Sequence, residues 1–197
     1  MTTIGVSIFD GAEELDFAGP WEVFAMAAAL RDDVRVITVA ERAEPVRCAK
    51  GMRVLPDHTL ADAPALDVVL VPGGQGTRRE VDNPVLIDWL RRIAPGLRWV
   101  TSVCTGALLL CEAGLARGRR VTTHWAFVET LRKRYPDVEV LDHVRYVRDD
   151  RLCTAAGVSA GIDLALWLAG QMWGVDTARR IQRNMEYDPA PPYAAEV

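Results

Sequence analysis

A strand-like run turns abruptly into a helical pattern within Trp99-Val100-Thr101-Ser102-Val103-Cys104-Thr105-Gly106-Ala107. Mostly apolar residues lead to Cys104, and Thr-Gly-Ala then opens an amphipathic helix, Leu108-Leu109-Leu110-Cys111-Glu112-Ala113. A strand that turns abruptly into a helix holds its corner residue in a strained conformation, with the side chain projecting from the sheet edge. The helix N-terminus beneath the thiol favours negative charge. The pattern therefore predicts a nucleophilic thiolate at Cys104.

The other three cysteines lack such a setting. Cys48, Cys111 and Cys153 are predicted to be buried and to pack as small apolar side chains. The four cysteines have neither the spacing of metal ligands nor that of a disulfide framework, so we expect no metal site. Without an export signal, they are expected to be reduced thiols.

Length, charge and hydropathy narrow the class of protein. The 197 residues suit one domain spanning 1–197, with an extended, proline-rich tail at 188–197. The net charge is −4 and the basic residues are scattered, which argues against nucleic-acid binding. No apolar run approaches the ~20 residues that cross a bilayer, and the N-terminus lacks the pattern of a signal peptide. These features predict a cytoplasmic protein without a membrane partner.

Short β-rich runs alternate with helical patterns along the chain, which predicts an α/β fold, a three-layer α/β/α sandwich around a mostly parallel sheet. The predicted strands are Thr3–Phe9, Val34–Val39, a hairpin within Val46–Leu55, Asp67–Val71, the run into Cys104, Arg120–Thr123, Val138–Leu141, Val144–Val147 and Leu152–Ala155. The predicted helices are Asp16–Leu30, Pro84–Ile93, His124–Tyr135, Ser159–Trp173 and Val175–Met185. Sites in such sheets lie at the carboxyl ends of the strands. There we expect the loops 10–16 and 72–76 to meet the Cys104 corner.

Two of these loops carry candidate functional groups. Asp16 begins a helix, so it is either an N-terminal cap or first-turn acid, or a carboxyl beside Cys104 that gives and takes a proton. The two roles are compatible. Gly73 and Gly74 form a tight turn, or they bring bare amides to negative charge opposite the thiol.

Further candidates come from strand ends and neighbouring helices. His124 ends a strand near the same edge, and a Cys–His pair is the usual arrangement for thiol hydrolysis. The spacing leaves open whether its ring faces Cys104. Phe17, Trp21, Trp125 and Val158 are candidates for an apolar lining, with core packing as the alternative.

Several motifs together resemble the ThiJ/PfpI superfamily, whose members share a flavodoxin-like sandwich of the class I glutamine amidotransferase type. The matching motifs are Gly11–Asp16, Val71–Gly74, Val103–Gly106 and Thr122–Trp125. Within the superfamily the chain is similar to the isonitrile hydratases, through Leu15–Pro20, Thr101–Gly106, Ala160–Asp163 and Glu186–Pro192. Many superfamily members have glutamate where this chain has Asp16, and the shorter acid fits the hydratase group.

The resemblance implies a lyase that adds water to a small-molecule isonitrile, giving an N-substituted formamide through a covalent cysteine thioimidate. It implies Cys104 as nucleophile, Asp16 as acidic partner and Thr105 acting through its hydroxyl or amide. It also implies a homodimer with the site near the interface, and no cofactor. An isonitrile should be bound by an apolar lining in which Asp16 is the only charged group. Val158-Ser159 departs from the pair expected in that group, which affects the size of the pocket.

Two other functions remain open from the sequence. Related domains form the N-terminal half of AraC-type regulators, so a stand-alone sensory or redox-responsive domain is one alternative. Another thiol hydrolase or a glyoxalase-like enzyme of the superfamily is the second.

Overall fold

A seven-stranded sheet forms the centre of the structure, a computed structural model that describes residues 1–188. The order of its strands is β10-β11-β7-β6-β1-β2-β5, and only the β10–β11 pair is antiparallel. These strands are β1 (Thr2–Ser7), β2 (Val34–Ala40), β5 (His58–Thr59), β6 (Val68–Val71), β7 (Trp99–Val103), β10 (Tyr146–Asp149) and β11 (Leu152–Ala155). The expected tail at 188–197 lies outside the described residues from 189 onward.

Two small strand pairs flank the main sheet. β3 (Val46–Arg47) and β4 (Arg53–Val54) form the predicted antiparallel hairpin, while β8 (Arg120–Thr122) and β9 (Glu139–Leu141) pair in parallel. The helices are α1 (Glu14–Leu30), α2 (Thr77–Glu80), α3 (Pro84–Ile93), α4 (Gly106–Glu112), α5 (Val128–Arg134), α6 (Ala160–Trp173) and α7 (Val175–Asn184), with 3-10 turns at Ala94–Gly96 and Trp125–Phe127.

Helices cover both faces of the sheet, which confirms the predicted three-layer sandwich. The chain passes from β1 to β2 in one direction across the sheet and from β6 to β7 in the other. Right-handed crossovers therefore place α1 and α3 on opposite faces. α6 and α7 pack with α1, and α4 packs with α3. The directions diverge between β1 and β6, and open α/β sheets bind their ligands at the carboxyl ends of the strands where this reversal occurs.

Burial explains why the central strands were recognisable. Every residue of β6 and β7 is buried, as expected for parallel strands covered on both faces. The predicted bounds of α3 and β11 agree with the structure. The helix predicted at His124–Tyr135 instead begins as the 3-10 turn Trp125–Phe127 before α5. β5 and α2 were not predicted, because two and four residues are too few to show a periodic pattern.

Candidate active site

Three loops meet at the carboxyl ends of β1, β6 and β7, as the sequence predicts. The Glu13 N–H donates to the Gly73 carbonyl at 2.9 Å, and the Gly76 N–H donates to the Gly11 carbonyl at 3.0 Å. The Gly73 N–H donates in turn to Asp16 Oδ2 at 2.9 Å. These bonds join the loop after β1 to the loop after β6 and bring Asp16 to the end of β7.

Cys104 occupies the corner between β7 and α4. Its φ is 56°, in the left-handed region that a residue other than glycine rarely adopts. Its N–H donates to the Ala155 carbonyl at 3.0 Å, and its carbonyl accepts from Thr123 Oγ1 at 2.8 Å. The corner is thus fixed from both sides, with only 7% of the residue exposed. A Cβ at Gly106 would lie 2.2 Å from the Val71 carbonyl oxygen, so glycine is required where the chain enters α4.

Asp16 lies in the first turn of α1 and is fully buried. The N-cap residue is Glu13, and no side chain caps the helix. Asp16 is therefore a first-turn acid and not the cap, and its Oδ2 is used by the Gly73 amide. Its Oδ1 is buried and makes no well-formed hydrogen bond with the described residues. This orphaned oxygen belongs to the carboxyl that interacts with the Cys104 thiol.

Burial raises the pKa of Asp16 from 3.8 to about 7. The hydrogen bond from Gly73 lowers this pKa, and the negative charge of Glu13 raises it. Hydrogen bonding to Cys104 and the positive charge of Lys50 lower it further. Lys50 forms an ion pair with Glu13, which reduces the charge that Asp16 experiences. A carboxyl with a pKa near neutrality can both accept and donate a proton at physiological pH.

The pKa of the Cys104 thiol is raised above its ordinary value, whereas the sequence predicts a thiolate stabilised by the helix start. Burial raises its pKa to about 12, and the charge of Asp16 raises it too. The backbone amide and the hydroxyl of Thr105 lower it. The predicted effect of the helix start is thus present but smaller than the cost of desolvating a second negative charge beside Asp16.

The glycine amides predicted to stabilise negative charge are already engaged. The Gly73 N–H holds Asp16, and the Gly74 N–H donates to Thr105 Oγ1 at 3.0 Å. Among the described residues, the Thr105 amide is the backbone donor acting on the sulfur. Gly73 has a steric role as well, because a Cβ there would lie 2.5 Å from the Thr105 nitrogen and 2.8 Å from Asp16 Oδ2.

His124 lies in a neighbouring cavity. Its Nδ1 accepts a hydrogen bond from the Ala126 N–H at 3.3 Å, and its ring contacts Trp125 at 5.5 Å between centroids. Burial, Asp16 and Thr105 are the influences that set the pKa of Cys104. Cavities of about 420 Å3 beside His124 and about 490 Å3 beside Asp10 are lined by residues other than Cys104 and Asp16.

The candidate lining residues occupy different environments. Phe17 is buried in the hydrophobic core, and Trp21 is half-buried against it. Trp125 is 82% exposed and belongs to the surface. Val158 lines the cavity beside His124 with a φ of 32°, a conformation that strains a β-branched residue.

Thr77 and Arg78 lie on α2, and no sequence motif marks them as functional residues. Thr77 Oγ1 lies 3.1 Å from Thr105 Oγ1, and Arg78 Nη1 donates to that same oxygen at 3.2 Å. The Arg78 guanidinium stacks over the Phe127 ring at 4.7 Å. Arg78 is thus a charged group one hydrogen bond from Thr105, the residue after Cys104, whereas the lining expected for an isonitrile has Asp16 as its only charged group. α2 has only four residues, which is too short for a periodic pattern that could have identified these two residues from the sequence.

Cys48, Cys111 and Cys153 are buried, as predicted. Burial raises the pKa of Cys48 to about 11 and those of Cys111 and Cys153 to about 12. Among residues 1–188, no group of histidine, cysteine and acidic side chains is arranged to hold a metal ion. Within the same range, no helix has the length and apolar character to cross a bilayer.

Known proteins are similar to this chain in sequence and in fold. The DJ-1/PfpI family profile matches residues 2–171. The chain is 43% identical to an isonitrile hydratase of Pseudomonas putida over 190 residues, which cover 96% of this chain and 80% of that protein. It is 34% identical to the transcriptional regulator CdhR of Pseudomonas aeruginosa over 140 residues, 71% of this chain and 41% of the regulator. A ThiJ/PfpI family protein from Pseudomonas syringae superposes with a TM-score of 0.90 at 29% identity, covering 100% of this chain and 79% of that one.

Proposed function

We propose that this chain, which belongs to the DJ-1/PfpI family, hydrates isonitriles to N-substituted formamides. The observation that carries the proposal is the buried pair of Asp16, with a pKa of about 7, and the Cys104 thiol. Such a pair can deliver a sulfur nucleophile and a proton to one substrate atom. The 43% identity to an isonitrile hydratase supports the same activity.

In the first step the Asp16 carboxylate takes the thiol proton while Cys104 Sγ bonds to the terminal carbon of R–N≡C. Asp16 then returns this proton to the same carbon. The product is the thioimidate R–N=CH–S–Cys104, so the thiol has added across one carbon atom without an external acid or base. Covalent attachment divides a difficult addition of water into two easier steps.

In the second step the Asp16 carboxylate orients water, whose oxygen bonds to the thioimidate carbon while a proton reaches the nitrogen. The tetrahedral species R–NH–CH(OH)–S–Cys104 then collapses. Its hydroxyl proton leaves by way of Asp16 to the departing sulfur, which regenerates the thiol and releases R–NH–CHO. The Thr105 amide and hydroxyl stabilise the negative charge that sulfur carries as it attacks and leaves. Water is the only co-reactant.

The assay uses cyclohexyl isocyanide with the wild-type protein and the Cys104→Ala and Cys111→Ala variants. We expect the wild type and Cys111→Ala to release cyclohexylformamide, and Cys104→Ala to release none. Rapid quenching and mass spectrometry should find the isonitrile mass added to the peptide that contains Cys104. Turnover by Cys104→Ala would overturn the mechanism. Turnover of a 2-oxoaldehyde but not of the isonitrile would favour a glyoxalase-like enzyme, and oxidation of Cys104 without turnover of either would favour a redox sensor.

The assembly proposed with this function is a homodimer of single-domain chains, residues 1–197, acting in the cytoplasm with the site near the subunit contact. The resemblance to the family supports the dimer. Sedimentation across the working range of concentrations tests it, because the monomer mass is 21.7 kDa. A species of that mass at all concentrations would contradict the dimer without affecting the chemistry.

A further inference from the structure

A small hydrogen-bond network connects α2 to the residue that follows Cys104. It consists of the Gly74 backbone, the Thr77 and Thr105 hydroxyls and the Arg78 guanidinium. Thr77 is fully buried and Thr105 is 3% exposed. Water therefore has little access to the two hydroxyls, and their protons are directed by protein atoms.

The Gly74 carbonyl has two lone pairs and more than one close donor. Thr77 Oγ1 donates to it at 2.8 Å and Arg78 Nη1 donates at 3.0 Å. The Thr105 hydroxyl lies farther away, at 3.3 Å from the same oxygen. The Thr77 N–H also donates to this oxygen, at 3.2 Å, so three donors nearer than the Thr105 hydroxyl compete for its two lone pairs.

The oxygen of Thr105 is filled as an acceptor in the same way. It accepts the Gly74 N–H at 3.0 Å and Arg78 Nη1 at 3.2 Å. A hydroxyl with both lone pairs occupied can act only as a donor. The acceptors that remain for its proton are Thr77 Oγ1, at 3.1 Å, and the neighbouring sulfur. Arg78 Nη1 also donates to Thr77 Oγ1, at 3.0 Å, and competes with the Thr105 proton there, which favours the sulfur. Hydrogen bonding from the Thr105 side chain does lower the pKa of the Cys104 thiol.

We propose that Thr77 and Arg78 are positioning residues that keep the Thr105 hydroxyl aimed as a hydrogen-bond donor at Cys104 Sγ. The proposal deepens the proposed function and rests on it only for the chemistry that the sulfur performs. Arg78 adds a positive charge one hydrogen bond from the Thr105 oxygen, which polarises the O–H toward the sulfur. A hydrogen bond to a developing thiolate is charge-assisted and therefore stronger than a neutral one.

The test measures alkylation of Cys104 by iodoacetamide as a function of pH, followed by mass spectrometry of the peptide that contains it. Thr77→Val keeps the shape of the side chain and removes its hydroxyl, the donor nearest to the Gly74 carbonyl, so the Thr105 proton meets weaker competition for that carbonyl. We expect alkylation near neutral pH to slow about tenfold, with the pH profile moved to higher pH. Thr77→Ser restores the hydroxyl and should restore the profile. An unchanged profile in a folded Thr77→Val protein would overturn the proposal.

A double-mutant cycle shows whether Thr77 acts through Thr105. In a Thr105→Val background, Thr77→Val should cause no further slowing, whereas independent effects would multiply and refute the coupling. Thr77 is buried, so Thr77→Val could fail to fold. In that case Arg78→Met, at an exposed position, tests whether the network directs the Thr105 hydroxyl. Arg78→Met should slow alkylation several-fold, and Arg92→Met, a matched loss of charge on the exposed surface of α3, should not.

The alkylation assay involves no isonitrile, so this proposal and the proposed function can fail separately. Slower alkylation of Thr77→Val in a protein that does not turn over isonitriles would support the positioning role and refute the hydratase activity. Isonitrile turnover, together with an alkylation profile that does not change in the Thr77 and Arg78 variants, would support the hydratase activity and refute the positioning role.

Discussion

Replacing Asp16 by asparagine should stabilise the protein at alkaline pH while abolishing turnover. The buried carboxylate is charged above its pKa of about 7, whereas in the unfolded chain the same group is charged above about 3.8. Asparagine keeps the acceptor for the Gly73 N–H and places an amide where Oδ1 now lacks a partner. The variant thus removes a buried charge without removing the hydrogen bond that holds the side chain.

The size of the effect follows from the two pKa values. Raising the pKa from 3.8 to about 7 corresponds to about 4 kcal/mol of unfolding free energy. The folded state binds this proton more tightly, so the wild-type stability is greatest below the lower value and falls as the pH rises to the higher one. Between about pH 5 and about pH 8, Asp16→Asn should gain about 3 kcal/mol relative to the wild type.

Urea unfolding followed by circular dichroism at several pH values measures this difference. Glu22→Gln, on the exposed surface of the same helix α1, is the matched control and should follow the wild type at every pH. A difference between Asp16→Asn and the wild type that stays constant with pH would refute the raised pKa. The same result would also refute the argument that Asp16 exchanges protons with the Cys104 thiol near neutral pH.

Other predictions concern the thiol, the backbone around it, the pH profile and the assembly. Cys104→Ala should lose all turnover of an isonitrile, whereas Cys111→Ala should retain it; comparable rates would exclude a special role for the corner thiol. Gly73→Ala should lose stability and activity in thermal melts and assays, because its Cβ would lie 2.5 Å from a backbone nitrogen, whereas Gly96→Ala meets no atom within 4 Å and should behave as wild type. The kcat/KM of the wild type should rise with pH through the Asp16 pKa of about 7 and then level off, since the carboxylate must accept the thiol proton; a rate that falls over this range would contradict that role. Sedimentation should find a particle of about twice 21.7 kDa, and a monomer at every concentration would contradict the homodimer.

The fold and the central pair of residues were predictable because their signals are local. The apolar runs of β6 and β7 and the turn after Cys104 each lie within a few residues. The start of α3 is marked by Asn83 as N-cap and by Pro84 as its first residue. Parallel strands then bring Asp16 and Cys104 to one edge of the sheet although many residues separate them. The predicted parallel sheet therefore indicates that Asp16 and Cys104 are close, although their separation in the sequence does not.

The electrostatics of the site were not predictable, since they depend on burial and on contacts between distant segments. The helix start after Cys104 suggested a thiolate, but burial of the thiol, together with the charge of Asp16 beside it, raises the thiol pKa instead. Arg78 reaches Thr105 across 27 residues of chain from a helix too short to recognise. Only the folded structure shows which polar groups are buried away from water and therefore depend on protein atoms for their hydrogen bonds.

The two edges of the main sheet limit how copies of this chain can associate. β5 has only two residues. The N–H of Leu60, which follows it, donates to the Ala40 carbonyl of the neighbouring strand β2. The Thr59 N–H, which faces away from the sheet, donates to Asp62 Oδ1 at 2.6 Å. At the opposite edge, β10 carries Arg148 and Asp149 and lies against β8. Neither edge presents a long, flat apolar strand that could template another chain. A homodimer is therefore expected to join through helices and loops, leaving the sheet unextended and fibre-like growth by strand addition suppressed even in concentrated solutions.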